Sequence, residues 1–483
     1  MKESYYKGLS PEQLFSLIEK VESHDMDPWT GKVFTHIYDP GEPELIEYAR
    51  GALLRNYDKT MLDFTVYPSI VFYETDLARF LLGIFKGGEN SVGSFTYGGT
   101  ESIMLAVKSA REHFKEKAGD AMPEIVLPET AHPAFRKSAE YLGLRISIVR
   151  VNRETWTVDP ADIDSAIGEN TAMVVVSTPN YPYGTVDPVE EVASITRDKD
   201  VWLHVDACLG GMILPFLREK DPEIPRVGFD VEGVYSISVD MHKFGYAPKG
   251  SSMILYRDKD LRLGQLYVNA SWPGYPLVNQ AVLSTRSAGT LAAAWTIARL
   301  LGYEGYSRMA EKIYKARRTI EEGINNTGSL YVIGKPKAGT LAFTSDKKNI
   351  FHLGRLLKKK GWILQSQPGN RHLGYPPSLH MTISPVHAEG PADKFVEDLA
   401  MLVDEAEEWN WQLVESIIQQ LGLGQGHDRE AAALMGRMVK EQLVSGGGEG
   451  EGQGLDLVDL LIYWLEPDKV EELLKIAVNE IFS

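Results

Sequence analysis

Val234-Tyr-Ser-Ile-Ser-Val-Asp-Met-His-Lys243 sets a run of strand-forming residues directly before a histidine and a lysine. An apolar run of this kind reads as a buried strand, and its end is the place where a parallel sheet presents chemistry. Burial disfavours the ammonium form of an amine. The pKa of Lys243 is therefore expected to fall, which would leave a free amine able to condense with an aldehyde.

Thirty-seven residues upstream, Val201-Trp-Leu-His-Val205 reads as a second strand that delivers Asp206 before the small residues Ala207-Cys-Leu-Gly-Gly211. A carboxylate at that strand end can pair with a protonated ring nitrogen, and the alanine and glycines allow a flat ring to approach the backbone. Ser94-Phe-Thr-Tyr-Gly-Gly-Thr-Glu-Ser102 runs straight into the helical pattern Ile103–His113. The free N–H groups at such a helix start, with the Thr100 hydroxyl, make a phosphate cradle. Thr130-Ala-His-Pro-Ala-Phe135 places His132 at the start of another helix, where its ring could stack on a planar ligand. An amine, a carboxylate, a phosphate cradle and a stacking ring together ask for pyridoxal 5'-phosphate (PLP), which enzymes hold on a lysine as a Schiff base.

In this order the pieces resemble the PLP enzymes of the group II decarboxylase family, and among them the sphingosine-1-phosphate lyases. Gly98-Gly-Thr-Glu-Ser102, His204-Val-Asp-Ala-Cys-Leu-Gly-Gly211 and Ser236 to Ser252 carry the likeness. It extends from about Pro28 to His387. The resemblance implies an α/β chain of PLP-dependent transferase-like fold type I, with a large domain on a mostly parallel sheet and a smaller C-terminal α+β domain. It implies that Lys243 holds the cofactor, Asp206 keeps its pyridine nitrogen protonated, and His132 and Ala207 lie on opposite ring faces. Gly99, Thr100 and His242 would hold the phosphate. A loop of a second subunit, here Gly289 and Thr290, would join them, so the implied unit is a homodimer.

In the lyases of this family the bond broken lies between the amine-bearing carbon and the carbinol carbon, by retro-aldol chemistry. In the decarboxylases it is the bond to a carboxylate. Lys249 in Tyr246-Ala-Pro-Lys-Gly250 matches the lyase pattern and could bind a substrate phosphate. Two positions depart from it: Asp63 stands where the lyases carry a histidine, and Phe34 where they carry a tyrosine. A carboxylate repels a phosphate and a phenyl ring cannot donate to one, which weighs against a phosphorylated long-chain base. The expected activity is a carbon–carbon lyase acting on an amino alcohol or phosphorylated amine, with an amino-acid decarboxylase as the alternative.

The formal charge of −17 argues against nucleic acid and anionic membrane surfaces as partners. With Cys208 the only cysteine, neither an intrachain disulfide nor a thiolate metal cluster is expected, and a cytoplasmic setting is favoured. No metal is expected. The start Met1-Lys-Glu-Ser-Tyr-Tyr-Lys7 lacks the apolar core of a signal peptide, and no uncharged apolar run is long enough to span a bilayer.

Residues 1–60 read as a helical arm with helices at Pro11–Glu22 and Glu44–Asn56, residues 61–285 as the PLP-binding large domain, and 286–420 as the small domain. The alternation of helices with strands at Glu124–Leu127, Arg145–Val149, Ala172–Ser177, Val201–Val205, Val234–Val239 and Ser252–Tyr256 predicts a sheet covered on both faces. Beyond these come a long helix over Thr290–Asn325, strands at Thr340–Thr344 and Leu379–Ser384, and a helix over Pro391–Glu415. Residues 421–483 read as a tail in which a glycine-rich linker, Gly446–Gly454, precedes a helical pattern, Leu455–Phe482, expected to dock on its own protein or on a dimer mate. His204 reads as a core histidine. A substrate role is assigned to Tyr181 and Asp63, and Tyr183, Arg371 and His372 are further loop candidates.

Overall fold

The computed structural model describes residues 8–412 and 453–483, with a few positions between them. Most of the glycine-rich linker lies outside the described residues.

Seven strands form the main sheet: β1 (Val92–Thr96), β2 (Glu124–Pro128), β3 (Arg145–Val149), β4 (Thr171–Ser177), β5 (Trp202–Asp206), β6 (Val234–Asp240) and β7 (Ser252–Tyr256). Their order is β1-β7-β6-β5-β4-β2-β3. Only β7 runs against its neighbours, β1 and β6. Every residue of β4 and β5 is buried, as expected when helices cover both faces of a parallel sheet. Each fully buried Val, Ile or Leu of these strands contributes about 1.5–3 kcal/mol from the area it removes from water.

β1 has little strand propensity of its own, since Gly93 and Ser94 lie within it, and it is not among the strands expected from sequence; its five pairings to β7 hold it in the sheet. From β1 the chain turns at Gly98, whose φ of 118° suits glycine, into the helix Gly99–Ala118. The long helical stretch Gly289–Asn326 is interrupted at Gly302.

A short ribbon joins β8 (Tyr267–Asn269) to β9 (Leu277–Asn279). The smaller sheet, of order β10-β11-β13-β12, is antiparallel: β10 (Tyr331–Val332), β11 (Thr340–Thr344), β12 (Gln365–Gln367) and β13 (Ser378–Thr382). The helix from Pro391 ends at Glu405, ten residues short of the expected Glu415. Ala406 is extended, and the carbonyl of Glu407 accepts from Asn349 N–H at 2.7 Å instead of extending the helix.

The chain divides into two compact units. One comprises Phe34–Gln367 and Ser378–Glu408 and holds both sheets. The other comprises Met1–Val33, Pro368–Pro377 and Trp409–Ser483. Within this second unit the tail helix Gln453–Trp464 meets the loop at Asn370. The Asn370 amide donates to the Ile462 and Leu465 carbonyls at 3.3 and 3.1 Å, and the Arg371 guanidinium lies 3.7 Å over the Trp464 ring. His372 Nδ1 is 3.0 Å from Glu466. Arg371 and His372 thus hold the tail of their own chain.

Candidate active site

At the C-terminal ends of β5 and β6, one cavity of about 190 Å³ is lined by Gly99, Thr100, His132, Tyr181, Asp206, His242 and Lys243. These seven come from five separate segments of sequence. Asp240, Ser177, Pro179, Ile103, Cys208 and Leu209 complete the lining.

Lys243 is not the depressed amine that its strand-end position suggests. Its Nζ sits 2.8 Å from Oδ2 of Asp240, a carboxylate that is itself almost wholly buried. Burial alone would lower the Lys243 pKa, but the attraction of Asp240 outweighs it and holds the pKa well above that of an ordinary lysine. Asp240 is shifted the other way. Burial opposes its charge, while Lys243, His242 and the hydroxyl of Ser252 together hold its pKa below the usual carboxylate value. In the protein by itself Lys243 is an ammonium locked in an ion pair.

Asp240 is the site residue whose importance the sequence reading did not recognise. Its partners form a buried line of hydroxyls: Thr96 Oγ1 lies 2.6 Å from Ser102 Oγ, Ser102 Oγ lies 3.0 Å from Ser252 Oγ, and Ser252 donates to Asp240 Oδ1. A Cβ placed on Gly99 would meet the Asp240 oxygens at 2.7 and 2.8 Å. The helix start and the ion pair are therefore packed against each other. The first N–H groups of that helix have no acceptor within it and point out of its end. His242 lies alongside, its Nδ1 bonded to the Ser251 carbonyl at 2.9 Å and its Nε2 3.7 Å from Asp240. Burial keeps its pKa below that of a free imidazole.

On β5, Asp206 accepts from Cys208 N–H and from the Ser238 hydroxyl, each at 3.1 Å and both on Oδ1. Ala207 beside it is fully buried, its N–H turned to the carbonyls of Val205 and Ser238. His132 is held by the Ala134 N–H, which donates to its Nδ1 at 3.2 Å. Burial pushes the His132 pKa down, against a smaller upward pull from Asp206. Tyr181 donates to Gln365 Oε1 at 2.7 Å and stacks on His380 with ring centroids 4.3 Å apart. Burial pushes its phenol up to about 12. Gln365 and His380, which no motif flags, reach this wall only because β12 and β13 are paired.

Lys249 follows six residues after Lys243, donates to the His36 carbonyl at 2.8 Å and lies 4.8 Å over the Tyr38 ring. Its pKa is lowered first by burial and then by the charge of Lys243.

The remaining candidates lie elsewhere in the chain. Asp63 closes a local turn, its Oδ1 accepting from Thr65 and Val66, and does not line the cavity. Phe34 is completely buried, stacked 4.2 Å from His387 and edge-on to Phe395. Its replacement of a tyrosine therefore changes the core rather than the cavity wall. Tyr183 is buried against Trp156. Gly289 and Thr290 start a helix away from this chain's cavity.

Residues 12–346 match the pyridoxal-dependent decarboxylase conserved domain. The chain is 35% identical to a sphingosine-1-phosphate lyase of Drosophila melanogaster over 395 residues, covering 81% of this chain and 71% of the relative. It belongs to the pyridoxal-dependent decarboxylase family. A solved sphingosine-1-phosphate lyase of Burkholderia pseudomallei superposes with a TM-score of 0.78 at 31% identity, over 86% of this chain and 94% of that one. The Lactobacillus brevis glutamate decarboxylase gives 0.73 at 19% identity, over 83% and 94%, a likeness of fold alone.

As a member of the pyridoxal-dependent decarboxylase family the protein is a PLP-dependent lyase of fold type I. Its cavity suits that cofactor. Helix-end N–H groups and His242 gather at one end, and Asp206, with both of its side-chain hydrogen bonds on Oδ1, lies in the same lining as the Lys243 amine. Among the described residues, no helix is long and apolar enough to cross a membrane.

Proposed function

We propose that this lyase cleaves a phosphorylated amino alcohol of the sphingosine-1-phosphate type into an aldehyde and a phosphorylated amine. The observation that carries the reading is Lys249. It is a cation on the loop that follows Lys243, near enough for the two charges to interact. Lys249, like Asp63 and Phe34, lies outside the lining of the cavity itself, but Asp63 is tied into its own turn and Phe34 is buried in the core, so neither sets an unfavourable group against a phosphate held by Lys249.

In this reading Lys243 would carry the cofactor, Asp206 would partner its ring nitrogen, and His132 and Ala207 would lie against its ring. Gly99, Thr100 and His242 hold the cofactor phosphate. When bound, the cofactor supplies an electron sink for the pair of electrons released at the amine-bearing carbon. The substrate's carbinol O–H would pass its proton to water and become a carbonyl as the carbon–carbon bond breaks. Lys243 would return a proton to the amine-bearing carbon. Tyr181 and Lys249 orient the substrate, with Lys249 on its phosphate. Lys249 is solvent-exposed, so an arriving anion can reach its amine.

The active unit proposed is a homodimer whose Gly289 and Thr290 complete the partner's phosphate site. Large apolar side chains stay exposed along Leu54, Tyr57, Phe64, Val66 and Phe72, and again at Val268, Tyr275, Val278 and Leu283, a surface that a second copy would cover. On the helix Pro11–Glu22, Leu14, Phe15, Leu17, Ile18 and Val21 are exposed as well, which suits an arm (1–60) that wraps a second subunit beside a large domain (61–285), a small domain (286–420) and a tail (421–483). Comparing kcat/KM for sphingosine-1-phosphate with that for its dephosphorylated form tests the substrate class. A preference of up to roughly tenfold is expected from one solvent-accessible charge pair, and equal values would count against Lys249 as the phosphate partner.

A further inference from the structure

β5 and β6 are parallel neighbours in which His204 pairs with Ser236 and Asp206 with Ser238. Side chains two residues apart share a sheet face, so Trp202, His204 and Asp206 form one row and Ser236 and Ser238 the next. These five groups make a continuous buried chain. Trp202 Nε1 donates to Ser236 Oγ at 2.8 Å, and Ser236 Oγ lies 2.8 Å from His204 Nδ1. His204 Nε2 is 3.1 Å from Ser238 Oγ, which donates to Asp206 Oδ1 at 3.1 Å.

The two ends fix the direction of every hydrogen bond. An indole can only donate and a carboxylate can only accept, and each serine has a single proton to give. Ser238 spends its proton on Asp206, so His204 must donate to Ser238 from Nε2. His204 Nδ1 then accepts from Ser236, which in turn accepts from Trp202. Trp202, Ser236, His204 and Ser238 are all buried to within 1% of complete, where aligned hydrogen bonds polarise one another.

We infer that His204 is a positioning residue, which acts through Ser238 to hold the Asp206 carboxylate turned toward the cofactor's ring nitrogen. The inference rests on the reading that Asp206 partners that nitrogen. Burial keeps His204 neutral, its pKa lowered to about 4, so a single tautomer persists across the working pH range. The buried strand histidine, unremarkable as a core residue, becomes the middle of a directional relay ending on Asp206.

Two measurements test it. In ¹⁵N-histidine-labelled wild-type protein without cofactor, His204 should show a protonated Nε2 and a bare Nδ1 between pH 6 and 8; the opposite tautomer would overturn the relay. Cofactor-free Asp206→Asn, Ser238→Ala and Ser238→Thr variants are then titrated with PLP and with its 1-deaza analogue, which has carbon in place of the ring nitrogen. Ser238→Ala should lose roughly tenfold in affinity for PLP with little change for the analogue, as expected on losing a hydrogen bond to a charged group, and Ser238→Thr should restore it. Equal loss for both ligands would mark Ser238 as merely structural and sink the inference. If Asp206→Asn also fails to distinguish the ligands, the pairing of Asp206 with the ring nitrogen falls. If Asp206→Asn distinguishes them and Ser238→Ala does not, the relay alone falls.

Discussion

Asp240 Oδ2 lies 2.8 Å from Lys243 Nζ, so the nucleophilic amine is held as an ammonium before the cofactor arrives. The raised Lys243 pKa makes a contribution to stability that is fully present below the ordinary lysine pKa and is lost as pH rises from there through the raised value. Asp240, with its pKa lowered, loses its share only as pH falls through the acid range. Neutral solutions therefore leave the pair intact. Asp240→Asn should release the amine, since burial then acts on Lys243 without a counter-charge. PLP should associate faster with the cofactor-free variant at pH 7, with the pH profile displaced to lower values. Stopped-flow absorbance would check this; an unchanged profile would show that Asp240 does not control the amine.

Gly99→Ala would force a Cβ to within 2.7 Å of Asp240. The carboxylate would have to move from Lys243, or the helix start from the cavity. A stability loss of about 1–3 kcal/mol is expected from the overpacking, with cofactor affinity reduced at least tenfold. Denaturant melts and equilibrium titration measure the two effects separately.

Asp206→Asn should keep the fold, because an amide still accepts from Cys208 and Ser238 through its oxygen. Turnover at saturating cofactor should drop by roughly a hundredfold or more, since a neutral amide does not stabilise a protonated ring nitrogen. Steady-state kcat on the cofactor-loaded variant is the measurement, and a near-normal value is the adverse result.

Mixing Lys243→Ala chains with Thr290→Ala chains tests the shared site. The hydroxyl of Thr290 is buried without a hydrogen-bond partner in its own chain. If it completes the site of a second subunit, hybrid dimers should regain part of the activity that neither variant shows alone. No recovery after demonstrated subunit exchange would mean that each chain builds its own site.

The central sheet was legible because β4, β5 and β6 are apolar runs buried on both faces, and because Asp206 and Lys243 sit at their ends. What local sequence could not convey was the effect of one strand on another. Asp240, three residues before Lys243 in the same stretch of sequence, raises the Lys243 pKa, and the part that lay beyond local sequence is the support its charge receives from Ser252 on the neighbouring strand β7. Phe34 looked like an altered cavity position, but its amide and carbonyl join Ile363 and Thr382 at 2.8 and 2.6 Å and carry its ring into the core. Gln365 and His380 reach Tyr181 through a long-range strand pairing that no spacing rule encodes.

The most direct measurement is the product balance of the cofactor-loaded enzyme given sphingosine-1-phosphate, with aromatic and acidic amino acids supplied in parallel. Aldehyde and carbon dioxide are quantified separately. The account predicts long-chain aldehyde and phosphoethanolamine in equal amounts from sphingosine-1-phosphate, with no carbon dioxide from the amino acids. Carbon dioxide from an amino acid, with no aldehyde from the phosphorylated amino alcohol, would contradict it and make Lys249 a partner for a carboxylate.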